Sequence, residues 1–135
     1  KGFEPESYVG RKRARRMDRF VQLGAAATLE AIENAHVKID QSNGHRTSVM
    51  IASGIGGIIT LSAEQEVLLQ RGPSRVNPFL VPMMLPDMAS GQVSMLIGAK
   101  GPNYSTVSAC SSAADTLGQA FEAVRSSGVE QLIDY

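Results

Sequence analysis

Apolar and polar positions alternate in short blocks along the chain, and their spacing predicts helices and strands taking turns. Residues 1–10 are polar, carry Pro5 and Gly10, and read as an irregular lead-in. From Met17 onward, Phe20, Val21, Gly24, Ala27, Thr28, Ala31 and Ile32 recur at the three- and four-residue spacing of one helix face. Gly44 and its polar neighbours break that pattern. Residues 47–52 form a β-branched and apolar run that reads as a buried strand, and the turn Ser53-Gly54-Ile55-Gly56-Gly57 follows. A second helix is predicted over residues 61–70, stopped by Arg71-Gly72-Pro73. Between residues 77 and 98, Pro78, Pro82 and Pro86 recur every fourth position, among four of the six methionines. Proline is tolerated without cost only in a first helical turn, so short or kinked helices are expected there. Gly101-Pro102 marks a turn, and residues 104–109 read as a strand of small and β-branched residues. After Cys110 an amphipathic helix begins, with Ala114, Leu117, Phe121 and Val124 on one face. Ser126-Ser127-Gly128 closes it, and residues 129–133 look like the start of a further strand. This alternation predicts an α/β fold with a layered sheet.

Composition narrows the picture. At 135 residues, 43% hydrophobic and 19% charged, the sequence suits one globular unit with a real core. Formal net charge is zero, so no global field argues for nucleic acid. Its distribution is uneven, because six of the 13 basic residues fall between Arg11 and Arg19. No apolar run approaches the roughly 20 residues that span a bilayer. Residues 1–10 lack the apolar segment of a signal peptide. One cysteine allows no internal disulfide, and with two scattered histidines it makes no zinc site; no metal and no cofactor are expected. A reducing, cytoplasmic setting is the natural expectation.

Cys110 stands where a strand of small residues meets a helix. Unpaired N–H groups and the macrodipole at a helix start favour negative charge, and a thiolate is the nucleophilic form of cysteine. The small neighbours Ser108, Ala109, Ser111, Ser112 and Ala113 permit a tight turn that leaves sulfur accessible, as in a nucleophile elbow. The competing reading is a small buried hydrophobe, the commoner fate of a lone cysteine. The turn around Gly54 and Gly56 is a weak dinucleotide signal, because Ile59 takes the third glycine position and no acidic residue follows at the required distance.

The run Gly101-Pro102-Asn103-Tyr104-Ser105-Thr106-Val107-Ser108-Ala109-Cys110-Ser111-Ser112-Ala113 resembles the active-site segment of β-ketoacyl-[acyl-carrier-protein] synthases. The similarity extends upstream through Ser53-Gly54-Ile55-Gly56-Gly57, Gly72-Pro73 and Asn77-Pro78-Phe79, and back to residues 11–20. It is nearest to the type II elongating synthase of bacterial fatty acid synthesis. The resemblance implies a thiolase-like layered α/β/α/β/α fold, of which residues 1–135 would be part of the N-terminal half. It implies an acyltransferase that condenses malonyl-acyl-carrier protein, with loss of carbon dioxide, onto an acyl group held by a cysteine. Neighbouring readings are a polyketide ketosynthase, or a non-catalytic carrier-docking and dimerisation fragment.

Each site residue follows from that resemblance. Cys110 would be the nucleophile and its backbone N–H part of the oxyanion hole. Ile55 would line the acyl pocket, as would Leu80 in the segment that also packs at a homodimer interface. Ordinary core packing is the alternative for both. Lys12, Arg15 and Arg16, joined by Arg75, would dock the acidic acyl-carrier protein, though charge runs are commonly just solvated. The family also uses two downstream histidines, which His36 and His45 do not match. These residues alone are therefore expected to fall short of complete condensation activity.

Overall fold

The computed structural model describes residues 2–127 and 131–134. At its centre lies strand β1, Thr47–Met50, buried along its whole length. Strands β2, Asn103–Tyr104, and β3, Gln131–Asp134, flank it in the order β2-β1-β3, and both pairings are parallel. Val49 faces Asn103 on one side and Ile133 on the other. Parallel neighbours need crossover connections, and the right-handed sense that such crossovers adopt puts the two connections on opposite faces. The layering follows from the strand order.

Helix α6, Met88–Ile97, ends the first connection and packs on β1, β2 and helix α3, Arg19–Asn34. Val21 and Ala25 of α3, Val49 and Ile51, and Ala89 and Val93 of α6 meet in one core with Val9, Ala14 and Met17. Val21, Val49 and Val93 are wholly buried, and each such side chain contributes about 1.5–3 kcal/mol relative to exposure. Gly24 of α3 lies over the Ile51 side chain, where a Cβ would stand at ordinary contact distance, 3.5 Å. The second connection is helix α7, Ser112–Ser127, which packs on β3.

Two polar residues set where elements begin and end. Asp18, itself buried, is the N-cap of α3, accepting from the Phe20 N–H (3.4 Å). Its other oxygen accepts from the Thr60 N–H (2.8 Å) in the first turn of helix α4, Ile58–Arg71. One carboxylate thus caps two helices, and α4 needs it because its own N-cap is Gly57. Ser90 of α6 inserts between strands: its Oγ accepts from the Ile51 N–H (2.8 Å) and donates to the Tyr104 carbonyl (3.0 Å).

The structure corrects the expected elements at two places, the start of the chain and the strand after Gly101-Pro102, and shows which face of α7 is buried. Residues 1–10 are not irregular throughout, because helices α1, Pro5–Val9, and α2, Arg11–Ala14, occupy the start, broken at Gly10. Pro5 opens α1 because the N–H it lacks would have no helical partner. Tyr8 donates to Glu30 of α3 (2.6 Å), which ties α1 down and raises the tyrosine pKa. The strand expected over 104–109 stops at Tyr104, because Ser90 takes the groups that would make the next rung. The face of α7 carrying Leu117, Phe121 and Val124 is exposed, and the buried stripe is Ser112, Thr116 and Ala120. Elsewhere the expected helices stand, with α4 longer at both ends and helix α5, Leu80–Met84, matching the proline-punctuated segment. The expected close of α7 at Gly128 and the start of the last strand at Val129 lie outside the described residues.

Candidate active site

The chain leaves β2 at Tyr104 and reaches a tight corner at Ala109, which adopts φ 51°. A side chain in this left-handed region costs about 1–2 kcal/mol, so surrounding bonds must hold it. A single 3-10 turn, Ala109–Ser111, carries Cys110 directly into α7, and the thiol is exposed. Cys110 is therefore not packed as a small core residue. The corner is bound from within by serine side chains. Ser112 Oγ accepts from the Ser108 N–H (2.9 Å) and donates to the Ala109 carbonyl (2.7 Å). The Ser111 N–H returns to the Ser108 carbonyl (3.0 Å), while Ser108 Oγ donates to Asp115 in the first turn of α7.

The turn after β1 lies against this corner. A Cβ at Gly54 would stand 3.2 Å from the Ala109 carbonyl oxygen, so glycine permits the approach. Ile55, next in the chain, is 68% exposed. On its far side the same turn grips α5: the Gly57 N–H donates to the Met84 carbonyl (2.9 Å), and any Cβ at Gly57 would collide with the Met83 carbonyl. Leu80 is half-buried one helical turn before Met84. Ile55 and Cys110 thus share one end of the sheet, while Leu80 lies at the start of α5, which the Ile55 turn contacts at Met83 and Met84. That end is the C-terminal edge of β1 and β2, where open parallel sheets bind their ligands.

The basic cluster forms a separate surface. Arg11, Lys12, Arg15 and Arg16 line a shallow depression of about 500 Å³. Arg13 and Arg16 also border a smaller cavity of about 230 Å³ against Met17, Gln92, Met95 and Leu96. Arg16 stacks over the Phe79 ring at 4.4 Å, and Arg19 over Phe3 at the same distance. Arg75 lies on the 3-10 turn Pro73–Arg75 after α4, outside the lining of that depression. The Arg16–Phe79 contact links the cluster to the start of α5, and so to the Ile55 turn.

Both histidines sit away from the corner. His36 ends α3 with φ 54°, its N–H bonded to the Glu33 carbonyl and the Val37 N–H to that of Ile32. His45 lies on the turn Gly44–Arg46, which leads into the opposite end of β1. Among the described residues no group of three His, Cys, Asp or Glu could hold a metal ion, and no helix is long and apolar enough to cross a membrane. Sequence reasoning missed Ser90, Asp18 and the bonding role of Ser112. Their only sequence signal is a short polar residue amid small or apolar neighbours.

Comparison with known proteins agrees with this geometry. The profile of the β-ketoacyl synthase N-terminal domain matches residues 1–133. The 3-oxoacyl-[acyl-carrier-protein] synthase 2 of Staphylococcus aureus is 44% identical over 133 residues, covering 98% of this chain and 33% of that protein. The protein of the same name from Synechocystis is 41% identical, over 98% and 32%. The chain thus spans about a third of the length of these curated relatives. Among solved structures, a β-ketoacyl synthase from Burkholderia phymatum superposes with a TM-score of 0.81 at 25% identity, over 98% of this chain and 33% of that one. A type II polyketide ketosynthase, in complex with its acyl-carrier protein, superposes at 0.93 with 20% identity, over 99% and 39%. The fold is therefore the layered, thiolase-like fold of the ketosynthases, covering its N-terminal part, and the chain belongs to the β-ketoacyl synthase family.

Proposed function

We propose that this chain supplies the acyl-accepting nucleophile and the carrier-docking surface of a β-ketoacyl-[acyl-carrier-protein] synthase acting in fatty acid chain elongation. The observation that carries the reading is the exposed Cys110 thiol beside strained Ala109, at the C-terminal edge of the sheet, in a chain of this family. Sulfur attacks the thioester carbonyl of an acyl-loaded carrier protein. A new carbon–sulfur bond forms at Cys110 as the carrier's breaks, and the carrier thiol departs with the proton that Cys110 gave up. The Cys110 backbone N–H is the proposed oxyanion donor during that step. Malonyl-carrier then loses carbon dioxide, and its carbanion equivalent attacks the acyl carbonyl and releases the sulfur. The family's two histidines assist that second half, a role the positions of His36 and His45 do not suit.

Ile55 and Leu80 are assigned to the acyl pocket because the 53–57 turn bridges α5 and the Cys110 corner. Lys12, Arg15 and Arg16 are assigned to carrier docking, with Arg75 as an outlying member, since a basic rim steers an acidic partner. The same reading includes a homodimer in the cytoplasm, which suits the lone thiol and the exposed Leu68 and Leu69 of α4. Fatty acid elongation is favoured over polyketide synthesis by the 44% and 41% identities to two 3-oxoacyl-[acyl-carrier-protein] synthases.

The test is mass spectrometry of the intact protein after incubation with an acyl-carrier thioester. One acyl adduct is expected, absent from Cys110→Ser. No adduct on the unaltered protein would sink the enzyme reading and leave a non-catalytic docking module. In the same assay at low salt, reversing Lys12, Arg15 and Arg16 to Glu is expected to slow acylation from the carrier about tenfold. Acylation from a small free thioester should not change.

A further inference from the structure

We infer that Ser112 is the positioning residue of the acylation step: its hydroxyl locks Ala109 in the left-handed conformation that aims Cys110. The inference rests on the reading of Cys110 as nucleophile and adds a residue that reading does not require. Three observations carry it. Ser112 is buried, only 4% exposed, two residues after the exposed Cys110. Its single hydroxyl uses both hydrogen-bonding senses across the corner, accepting from the Ser108 N–H (2.9 Å) and donating to the Ala109 carbonyl (2.7 Å). The residue between those two bonds and Cys110 is Ala109, at φ 51°.

Each bond constrains a different side of the same peptide corner. The bond from Ser108 fixes where the chain comes off its extended run. The bond to the Ala109 carbonyl fixes the orientation of the peptide plane whose N–H belongs to Cys110, because that carbonyl and that N–H share one rigid amide. Ser112 therefore sets the direction of the proposed oxyanion donor as well as the placement of the sulfur. Asp115 braces the arrangement from α7 by accepting from Ser108 Oγ. Gly54 closes it from outside, against the Ala109 carbonyl. Without the Ser112 hydroxyl, Ala109 is free to leave its strained φ, and the Cys110 amide turns with it. Thioester acylation needs that amide aimed at the developing oxyanion. Alkylation of the same sulfur by iodoacetamide is a displacement at a saturated carbon and needs no oxyanion donor.

The experiment compares the two reactions in the intact protein and in Ser112→Ala. The limiting rate constant for acylation by an acyl-carrier thioester, followed as a single turnover, is expected to fall about tenfold or more, with little change in the carrier concentration that gives half that rate. Alkylation by iodoacetamide should stay within about twofold across the same pH range. Adding Ala109→Gly to Ser112→Ala should recover part of the lost acylation, because glycine holds a positive φ without the steric cost. Equal acylation of Ser112→Ala and the unaltered protein overturns the inference. So does a parallel fall in both reactions, or a variant too unstable to purify that Ala109→Gly does not restore, since either marks Ser112 as merely structural. If the unaltered protein takes no acyl group, or Cys110→Ser still does, the nucleophile reading itself fails and the inference falls with it.

Discussion

Helices α3 and α7 are each 16 residues long and both amphipathic, yet only α3 packs larger apolar residues against the core, whereas α7 leaves them exposed. Along α3 the inward stripe is Val21, Ala25 and Thr28, on a helix packed against α6. Along α7 the inward stripe is Ser112, Thr116 and Ala120, while Leu117 and Phe121 are 61% and 67% exposed. The two helices also start differently. α3 begins at a capping carboxylate and packs Val21 and Ala25 in the core, with half-buried Phe20 and Leu29 beside them. α7 begins at a corner whose backbone must be held by small hydroxyl side chains, and these continue at four-residue spacing down one face. Among the described residues, α7 turns its small side chains inward and its larger apolar ones outward.

The contrast can be broken most sharply by charge. Ala25→Asp places a carboxylate at a fully buried position and should cost on the order of 4 kcal/mol in denaturant unfolding. Leu117→Asp should change stability by no more than about 0.5 kcal/mol. A comparable loss from Leu117→Asp would mean that the apolar face of α7 is covered in the intact protein, and the contrast would collapse. Next in size is the start of α3. Asp18→Ala removes caps from both α3 and α4 and should cost about 2 kcal/mol, with Asp18→Asn near half of that because only one oxygen remains. If Asp18→Asn is as damaging as Asp18→Ala, the second cap contributes nothing.

The smallest effects differ in sign. Thr28 on α3 donates its hydroxyl to the Gly24 carbonyl (2.8 Å), whereas the buried Thr116 hydroxyl on α7 has no partner among the described residues. Thr28→Val should lose about 0.5–1 kcal/mol, and Thr116→Val should gain about 1 kcal/mol by removing an unmatched buried hydroxyl. Melting curves of the two variants side by side decide it. Destabilisation by Thr116→Val would reveal a hydrogen-bond partner on that face.

The sequence made much of this legible where a pattern repeats or a residue type is rare. Periodicity located α3, α4, α7 and β1, the prolines located the short helices, and Cys110 stood out beside small residues at a strand–helix junction. Periodicity could not say which side of α7 turns inward, since Leu117, Phe121 and Val124 satisfy a core pattern equally well. It also overextended β2, because the residue that ends that strand is Ser90, 14 positions upstream of Tyr104. The φ of Ala109 goes with local bonds to the Ser112 hydroxyl, which periodicity does not register. At the site, the type and neighbours of Cys110 were readable, whereas the approach of Gly54 to Ala109 and the separation of Arg75 from the basic depression arise only on folding.

Ser90 has a consequence for how this scaffold can vary. Its hydroxyl stands where the β1–β2 ladder would add its next rung, so the ladder ends there whatever sequence follows. The segments beyond it, one leading to Ile55 and the other to Cys110, are relieved of strand register. Insertions or substitutions in either can reshape the space above the thiol while every backbone pair below stays as it is. A helix residue thus separates the paired backbone that carries the sheet from the two segments above it that are free to vary.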